Sequence, residues 1–151
     1  MAAARDALAG ADARTLFPNA PHPEAALAGL YLYYSCFDEC HGVAQDLATP
    51  EGSYWHGILH RQEPDAANAG YWFRRVGRHA VFESLNAAAN EIASRNAGAR
   101  FATGAQWDPF AFIDYCERAR ELPGSVEERT AREIQRAEWE LLFDYCARPR
   151  A

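Results

Sequence analysis

Helix start and stop signals recur along this chain, and they constrain its fold more than any other sequence feature. Thr49-Pro50 places a capping side chain directly before a proline, and Asp108-Pro109 does the same. Ser125 begins a segment with the spacing of a capping box. Between such signals apolar residues recur every three or four positions, and no convincing strand alternation is found. The sequence therefore predicts an all-α protein, a single-domain bundle of about five or six helices.

The predicted helices follow an N-terminal arm. We expect residues 1–22 to form this arm, in part disordered, and residues 23–151 to form one helical domain. The first helix is expected to run from Pro23 to about Leu47, with Leu27, Leu30 and Tyr34 on its buried face. The second helix is expected to end near Gln62, and the third to run from an Asp65 cap to Gly77. We expect a fourth helix that includes Phe82 to Ile92, a fifth from Pro109 to Glu121, and a sixth that begins after Ser125.

Composition excludes several classes of function. All 15 positively charged side chains are Arg and the chain has no Lys, which removes Schiff-base chemistry and a phosphate-loop lysine. A net charge of -6 argues against a nucleic-acid partner, and the apolar runs are too short for a membrane partner. The start of the chain lacks a secretory core, and the four cysteines lack disulfide-framework spacing, so we expect a cytoplasmic protein.

Residues 54–79 concentrate the polar chemistry of the chain, with three of the five His, two of the four Trp and four Arg. On one predicted helix, His56, His60 and Glu63 lie within a sector of about 60°. A His pair one turn apart can bind one metal ion, with a carboxylate as third ligand. The three residues are thus candidate ligands of a divalent metal (Zn, Fe or Mn), or a catalytic base with its partners. Alternatively, the histidines form hydrogen bonds to Asp65 or to the backbone.

His41 is a second unusual position, because it continues the predicted buried face of the first helix after Phe37. Asp38 precedes it by one turn and could orient the imidazole ring. Taken alone, His41 fits a core histidine whose hydrogen bonds are satisfied. The connection between the first two helices is short, however, and predicts that they are neighbours. His41 would then approach His56 or His60 and join a binding site.

Basic and aromatic side chains of the same segment could complete a pocket for a small anionic molecule. Arg61 and Arg75 would bind a carboxylate or phosphate through paired hydrogen bonds, and Trp72 would supply an apolar wall. Alternatively, the Arg residues at the end of the helix complement its dipole, and Arg61 pairs internally with Glu63 or Asp65. The remaining candidate ligand-binding residues are Asp65, Asn68 and His79.

The segment as a whole resembles a known signature. It reads Tyr54-Trp55-His56-x3-His60-Arg61-x-Glu63-x-Asp65-x2-Asn68-x2-Tyr71-Trp72-Phe73-Arg74-Arg75-Val76-Gly77, followed by His79 and Phe82. This string is similar to the motif of an uncharacterised group of small helical proteins from bacteria and fungi, over about residues 24–90. The resemblance implies that the segment acts as a unit, and it implies no particular activity.

The sequence supports two classes of function. The first is an enzyme or ligand-binding protein whose His-, Arg- and Trp-lined pocket takes a small anion, with metal assistance in one version. The second is a non-catalytic interaction or assembly module that binds a partner, or a second copy in a homodimer, through its aromatic and Arg side chains. A purely structural polar network is a third reading. The positions of the imidazoles and the exposure of Trp55 and Trp72 discriminate between these hypotheses.

Overall fold

Helices account for all the regular secondary structure in the computed structural model, which describes residues 1–150. No strand occurs within these residues, and the prediction of an all-α bundle is confirmed. None of the described helices has both the length and the apolar composition needed to cross a bilayer. The described helices are α1 (Ala2–Leu8), α2 (Ala13–Leu16), α3 (Pro23–Tyr33), α4 (Phe37–Gln45), α5 (Pro50–Gln62), α6 (Ala66–Val76), α7 (Phe82–Arg95), α8 (Pro109–Arg120) and α9 (Val126–Ala147).

The predicted count of five or six helices is wrong, since residues 1–150 contain nine. One reason is that the first predicted helix is interrupted at residues 34–36. Ser35 adopts a left-handed backbone conformation there, with φ of 58°, which an α-helix cannot contain. Tyr34 is consequently 43% exposed and does not belong to the buried face that its spacing predicted. The interruption separates α3 from α4, and both helices pack against α5.

The other two additional helices, α1 and α2, lie in the N-terminal arm. The arm packs against the rest of the protein, because Leu8 is buried and the Tyr31 hydroxyl donates a hydrogen bond of 3.1 Å to its carbonyl oxygen. Phe17 contacts Phe143 of α9 edge to face, with ring centroids 5.7 Å apart. Residues 1–22 therefore cover part of the surface of α3 and α9.

The N-caps that the sequence indicates are present in the structure. Thr49 Oγ1 accepts a hydrogen bond from the backbone N–H of Gly52 at 3.1 Å, and Asp65 caps α6 in the same way. Asp108 and Ser125 cap α8 and α9. These four side chains satisfy N–H groups that have no partner within the helix, and they therefore determine where α5, α6, α8 and α9 begin.

Helix α5 lies in the interior of the bundle. Every residue from Glu51 to Arg61 is buried, and α5 packs against α3, α4 and α6. The fit against α6 is close at Gly57, where an added Cβ would lie 2.7 Å from the ring of Phe73. A second hydrophobic cluster is formed by α7, α8 and α9 around Leu85 and Ile134. A helix buried on all sides must place its own polar side chains inside the protein, and α5 carries several.

Candidate metal centre

Two histidines of α5 and one of α4 form a cluster inside the bundle. His56 and His60 are one turn apart on α5, and their rings stack with centroids 5.1 Å apart. The ring of His41 on α4 approaches both edge to face, at 4.5 Å from His56 and 5.7 Å from His60. One ring nitrogen of each residue lies within 4.8 Å of those of the other two. The predicted approach of His41 to the pair on α5 is confirmed.

The His56 imidazole has no hydrogen-bond partner at either nitrogen. The residue is 1% exposed, and both Nδ1 and Nε2 are buried. An unpaired buried polar group costs about 1–3 kcal/mol, so such groups in folded proteins call for an explanation. Burial, with smaller contributions from the neighbouring His41 and His60, lowers the pKa of His56 to about 4. The ring is therefore uncharged at neutral pH and has a lone pair available for a metal ion.

Glu63 contacts the cluster from its outer side. Its carboxylate lies 3.1 Å from Nδ1 of His60, and it does not belong to the group of three mutually close residues. An Nδ1–H donated to Glu63 leaves the Nε2 lone pair of His60 free, an arrangement common around metal-bound histidines. Burial and the charge of Glu63 raise the pKa of the Cys40 thiol to about 12, so this cysteine stays protonated and is a poor ligand. The geometry thus favours Glu63 as an orienting group and three imidazoles as ligands.

Trp72 and Arg75 of α6 extend the cluster toward solvent. The Trp72 ring stacks on His56 with centroids 3.8 Å apart and planes 7° from parallel. The guanidinium carbon of Arg75 lies 5.5 Å from the centroid of Trp72, and its Nη1 donates a hydrogen bond of 3.5 Å to Tyr71. Arg75 is exposed, whereas Trp72 is half-buried. A positive charge and an aromatic wall therefore lie beside the cluster, as the sequence suggests.

Arg61 does not join this site, although it follows His60 directly. Its guanidinium is fully buried and forms a close ion pair with Glu138 of α9. It also donates a hydrogen bond of 3.0 Å to Gln135 and lies 4.5 Å from the ring centroid of Phe112. Arg61 thus pairs internally, but its partner is Glu138 and neither Glu63 nor Asp65. Both terminal nitrogens of the Arg61 guanidinium are therefore bonded to side chains of α9.

The other candidate ligand-binding residues also have separate roles. Asp65 is exposed and caps α6, and Asn68 donates its backbone N–H to that cap. His79 lies beside the buried carboxylate of Glu51, with Nε2 3.9 Å from Oε1. His22 contacts the same oxygen at 3.1 Å. The imidazoles of His41, His56 and His60 therefore lie together, whereas that of His79 belongs to another cluster.

The Glu51 cluster has no counterpart in the sequence-based prediction. His79 Nδ1 accepts a hydrogen bond of 3.2 Å from the backbone N–H of Val81, which leaves the ring proton on Nε2, toward Glu51. His79, together with His22, holds the pKa of the Glu51 carboxyl below its ordinary value despite burial. In the sequence, Glu51 has the ordinary signature of an acidic residue in the first turn of a helix. That position gives no indication of burial, so no sequence signal pointed to this cluster.

Comparison of the chain with protein-family models, with curated proteins and with solved structures finds no match. The geometry of the site is therefore what indicates a function. Its main features are the three converging imidazoles, the unpartnered nitrogens of His56, and the adjacent Trp72 and Arg75.

Proposed function

We propose that His41, His56 and His60 bind one divalent metal ion, and that the metal and Arg75 together bind a small anionic molecule. The observation that supports this most strongly is the unpartnered, buried imidazole of His56 within a group of three histidines. A metal ion would bind the lone pair of one ring nitrogen of His56. The proposal thus accounts for one of the two polar atoms of this ring that are otherwise costly to bury.

Zinc is the metal that this ligand set favours. Imidazole suits Zn²⁺, and three histidines with an open fourth position are typical of catalytic rather than structural zinc sites. Ligand nitrogens at about 2.0–2.1 Å from a tetrahedral zinc lie about 3.3 Å from one another. Those of the three histidines lie within 4.8 Å of one another, so the imidazoles would move closer together on binding. Iron and manganese remain alternatives for the same cluster, with manganese disfavoured by the absence of a carboxylate ligand.

The anion would bind at the open position of the metal. Arg75 contributes a positive charge on the solvent side, and Trp72 supplies an apolar surface that stacks on a ligand histidine. In an enzyme of this design the metal lowers the pKa of a bound water and polarises the substrate. Glu63 would act through His60, holding its ring in the tautomer that binds the metal. The reaction class this supports is metal-assisted hydrolysis or hydration of a small anionic substrate.

The interaction hypothesis has less support from the side chains concerned. Trp55 is fully buried within one chain and cannot anchor a partner, whereas Trp72 is half-buried and stacks on His56. Of the aromatic residues in the segment, Tyr71 is exposed by 46%, next to the exposed Arg74 and Arg75. A single exposed aromatic with two Arg is a small surface compared with ordinary protein interfaces. We therefore place the interaction module second to the metal site.

Metal binding tests the proposal directly. Chelator-treated protein is titrated with zinc, and bound metal is measured by elemental analysis after dialysis. We expect one zinc ion per chain for the wild type. A His56→Ala/His60→Ala double variant removes two of three ligands and should bind zinc at least about 100-fold more weakly, whereas Glu63→Gln, which changes only the orienting group, should lose about tenfold.

A matched control is available in His22, which is partly exposed and lies outside the cluster. His22→Gln should bind zinc like the wild type, and circular dichroism should show that every variant remains helical. If the wild type and the double variant hold equally little zinc, iron and manganese, the metal site is excluded. The histidines would then form the purely structural network that the sequence leaves open.

A further inference from the structure

Trp72 of α6 differs from the other Trp side chains of the protein in what it contacts. The other three are buried in the two hydrophobic clusters or pack against them, namely Trp55, Trp107 and Trp139. Within residues 1–150, Trp72 belongs to neither cluster and is half-buried. Its ring contacts His56, Tyr71 and Arg75. Packing in the hydrophobic core therefore does not account for this indole.

The contact of Trp72 with His56 is the closest ring pair in residues 1–150. The two centroids are 3.8 Å apart and the planes are 7° from parallel, whereas Tyr71 meets the same indole edge to face at 5.1 Å. A tilt of the imidazole out of its plane would drive it into the flat face of the indole. The stack therefore restricts the plane in which the His56 ring lies.

His56 depends on such a contact because nothing else holds its ring by a directed bond. His60 is held by Glu63, whose carboxylate lies 3.1 Å from its Nδ1. Both ring nitrogens of His56, in contrast, lack a hydrogen-bond partner. The lone pair that binds a metal lies in the plane of an imidazole, so the orientation of that plane decides whether the ligand meets the ion. Groups that orient ligand histidines are usually hydrogen-bond acceptors, and here a stacked ring occupies that place.

We propose that Trp72 is the positioning residue of His56, and that its indole holds the imidazole in the plane that binds the metal. This role rests on the proposed metal centre, and it is distinct from that of an apolar wall for the anion. Trp72 would act through His56 alone and would not touch the metal. It corresponds to Glu63, which orients His60 on the same helix turn of α5. Removing an orienting group of this kind typically weakens metal binding 10- to 100-fold.

Zinc affinity, measured by competition with a chromophoric chelator, tests this role. Trp72→Leu keeps an apolar side chain but removes the flat face, and it should bind zinc about tenfold more weakly than the wild type. Trp72→Phe restores a flat ring and should bind zinc within about threefold of the wild type. Rescue by an aromatic side chain, but not by an aliphatic one, is the result that distinguishes positioning from ordinary packing.

Nuclear magnetic resonance of the metal-free protein gives a second readout that involves no metal. The ring current of Trp72 should shift the ring-proton signals of His56 upfield, and His56→Gln identifies these signals by removing them. We also expect nuclear Overhauser contacts between the rings of His56 and His41, whose centroids are 4.5 Å apart. In Trp72→Leu these contacts should weaken as the ring reorients, and in Trp72→Phe they should persist. A loss of global stability alone would not produce this pattern.

Tyr71→Leu is the matched control, because it removes the neighbouring aromatic side chain of the same helix. Tyr71 is 46% exposed, and its ring pairs with Trp72 and with no histidine ring in residues 1–150. This variant should bind zinc within about twofold of the wild type. Equal zinc affinity of the wild type and Trp72→Leu, or equal losses in Trp72→Leu and Tyr71→Leu, would overturn the role of Trp72 and leave the metal centre intact. A wild type that binds no metal would instead overturn the metal centre itself.

Discussion

At the scale of single residues, the ion pair of Arg61 and Glu138 is a polar contact that is entirely removed from solvent. Both side chains are fully buried. The Tyr54 hydroxyl donates a hydrogen bond of 3.2 Å to Glu138, and Gln135 accepts one of 3.0 Å from Arg61. These bonds satisfy most of the polar atoms of the pair, as a desolvated ion pair requires. The pair joins α5 to α9.

Replacing Glu138 with Gln should therefore destabilise the protein strongly. The Arg61 guanidinium would remain buried without a counter-charge, and we expect a loss of about 3–5 kcal/mol in the free energy of unfolding. A combined Arg61→Met/Glu138→Leu variant removes both charges and should recover most of that loss. Urea denaturation followed by circular dichroism measures both effects.

The exposed pair of Arg136 and Glu140 is the matched control, because it lies on the same helix and is open to solvent. Glu140→Gln should change the stability by less than about 0.5 kcal/mol. An equally small effect of Glu138→Gln would contradict the assignment of a desolvated pair. The sequence predicts an internal partner for Arg61 only among its local neighbours. The observed partner is 77 positions away, and helix periodicity carries no information on such a contact.

At the scale of elements, two glycines in neighbouring helices have opposite roles. Gly57 of α5 faces α6, and a Cβ there would lie 2.7 Å from the ring of the buried Phe73. Gly42 of α4 is exposed, and a Cβ there would meet nothing within 4 Å. The first glycine permits close helix packing, whereas the second only weakens its helix.

The same substitution should therefore have opposite effects at the two positions. Gly57→Ala forces α5 and α6 apart and should lower the free energy of unfolding by about 1–3 kcal/mol. Gly42→Ala improves helix propensity without a clash and should raise it by about 0.5–1 kcal/mol. Thermal unfolding of the two variants beside the wild type measures both changes. Stabilisation by Gly57→Ala would show that the interface between α5 and α6 is looser than described.

The helix boundaries show how far local sequence determines these elements. Thr49, Asp65, Asp108 and Ser125 cap helices where predicted, because a cap depends on the N–H groups two or three residues ahead. The break at Ser35 was not predictable in the same way. No Gly or Pro lies at residues 34–36, and the apolar spacing continues across it. The chain bends there because α3 and α4 both pack on α5, which is a tertiary requirement.

In the candidate site, too, local sequence determines some contacts and long-range packing determines the others. His56 and His60 belong to one helix face, so their proximity follows from spacing alone. The approach of His41 follows from the short connection between α4 and α5. The separation of His79 from the cluster depends on Glu51, whose burial follows from the packing of α5 among its neighbours. Local periodicity thus identified the core of the cluster, and long-range packing determined which other residues joined it.

At the scale of the whole molecule, the stability of the metal-free protein should fall as the pH drops below neutrality. Burial, with the nearby His41 and His60, lowers the pKa of His56 from an ordinary 6.5 to about 4. Between these values the unfolded chain binds a proton at His56 that the folded protein does not bind. Acid therefore favours unfolding over this range. Above pH 6.5 the His56 imidazole causes no loss in the free energy of unfolding. As the pH falls from 6.5 to 4, the loss grows to at most about 3 kcal/mol.

Urea unfolding in the presence of a chelator, at several pH values from 7 to 4.5, measures this dependence. The wild type should lose stability across the range, while His56→Gln, which cannot titrate, should show a much flatter profile. Glu51 also has a lowered pKa, but its contribution is lost only as the pH falls below the ordinary value of a carboxyl group, so the two effects separate. Zinc in place of the chelator should add stability at pH 7 and progressively less in acid, because protons compete for the imidazoles. Equal pH slopes for the wild type and His56→Gln would mean that the buried imidazole is not the group that resists protonation.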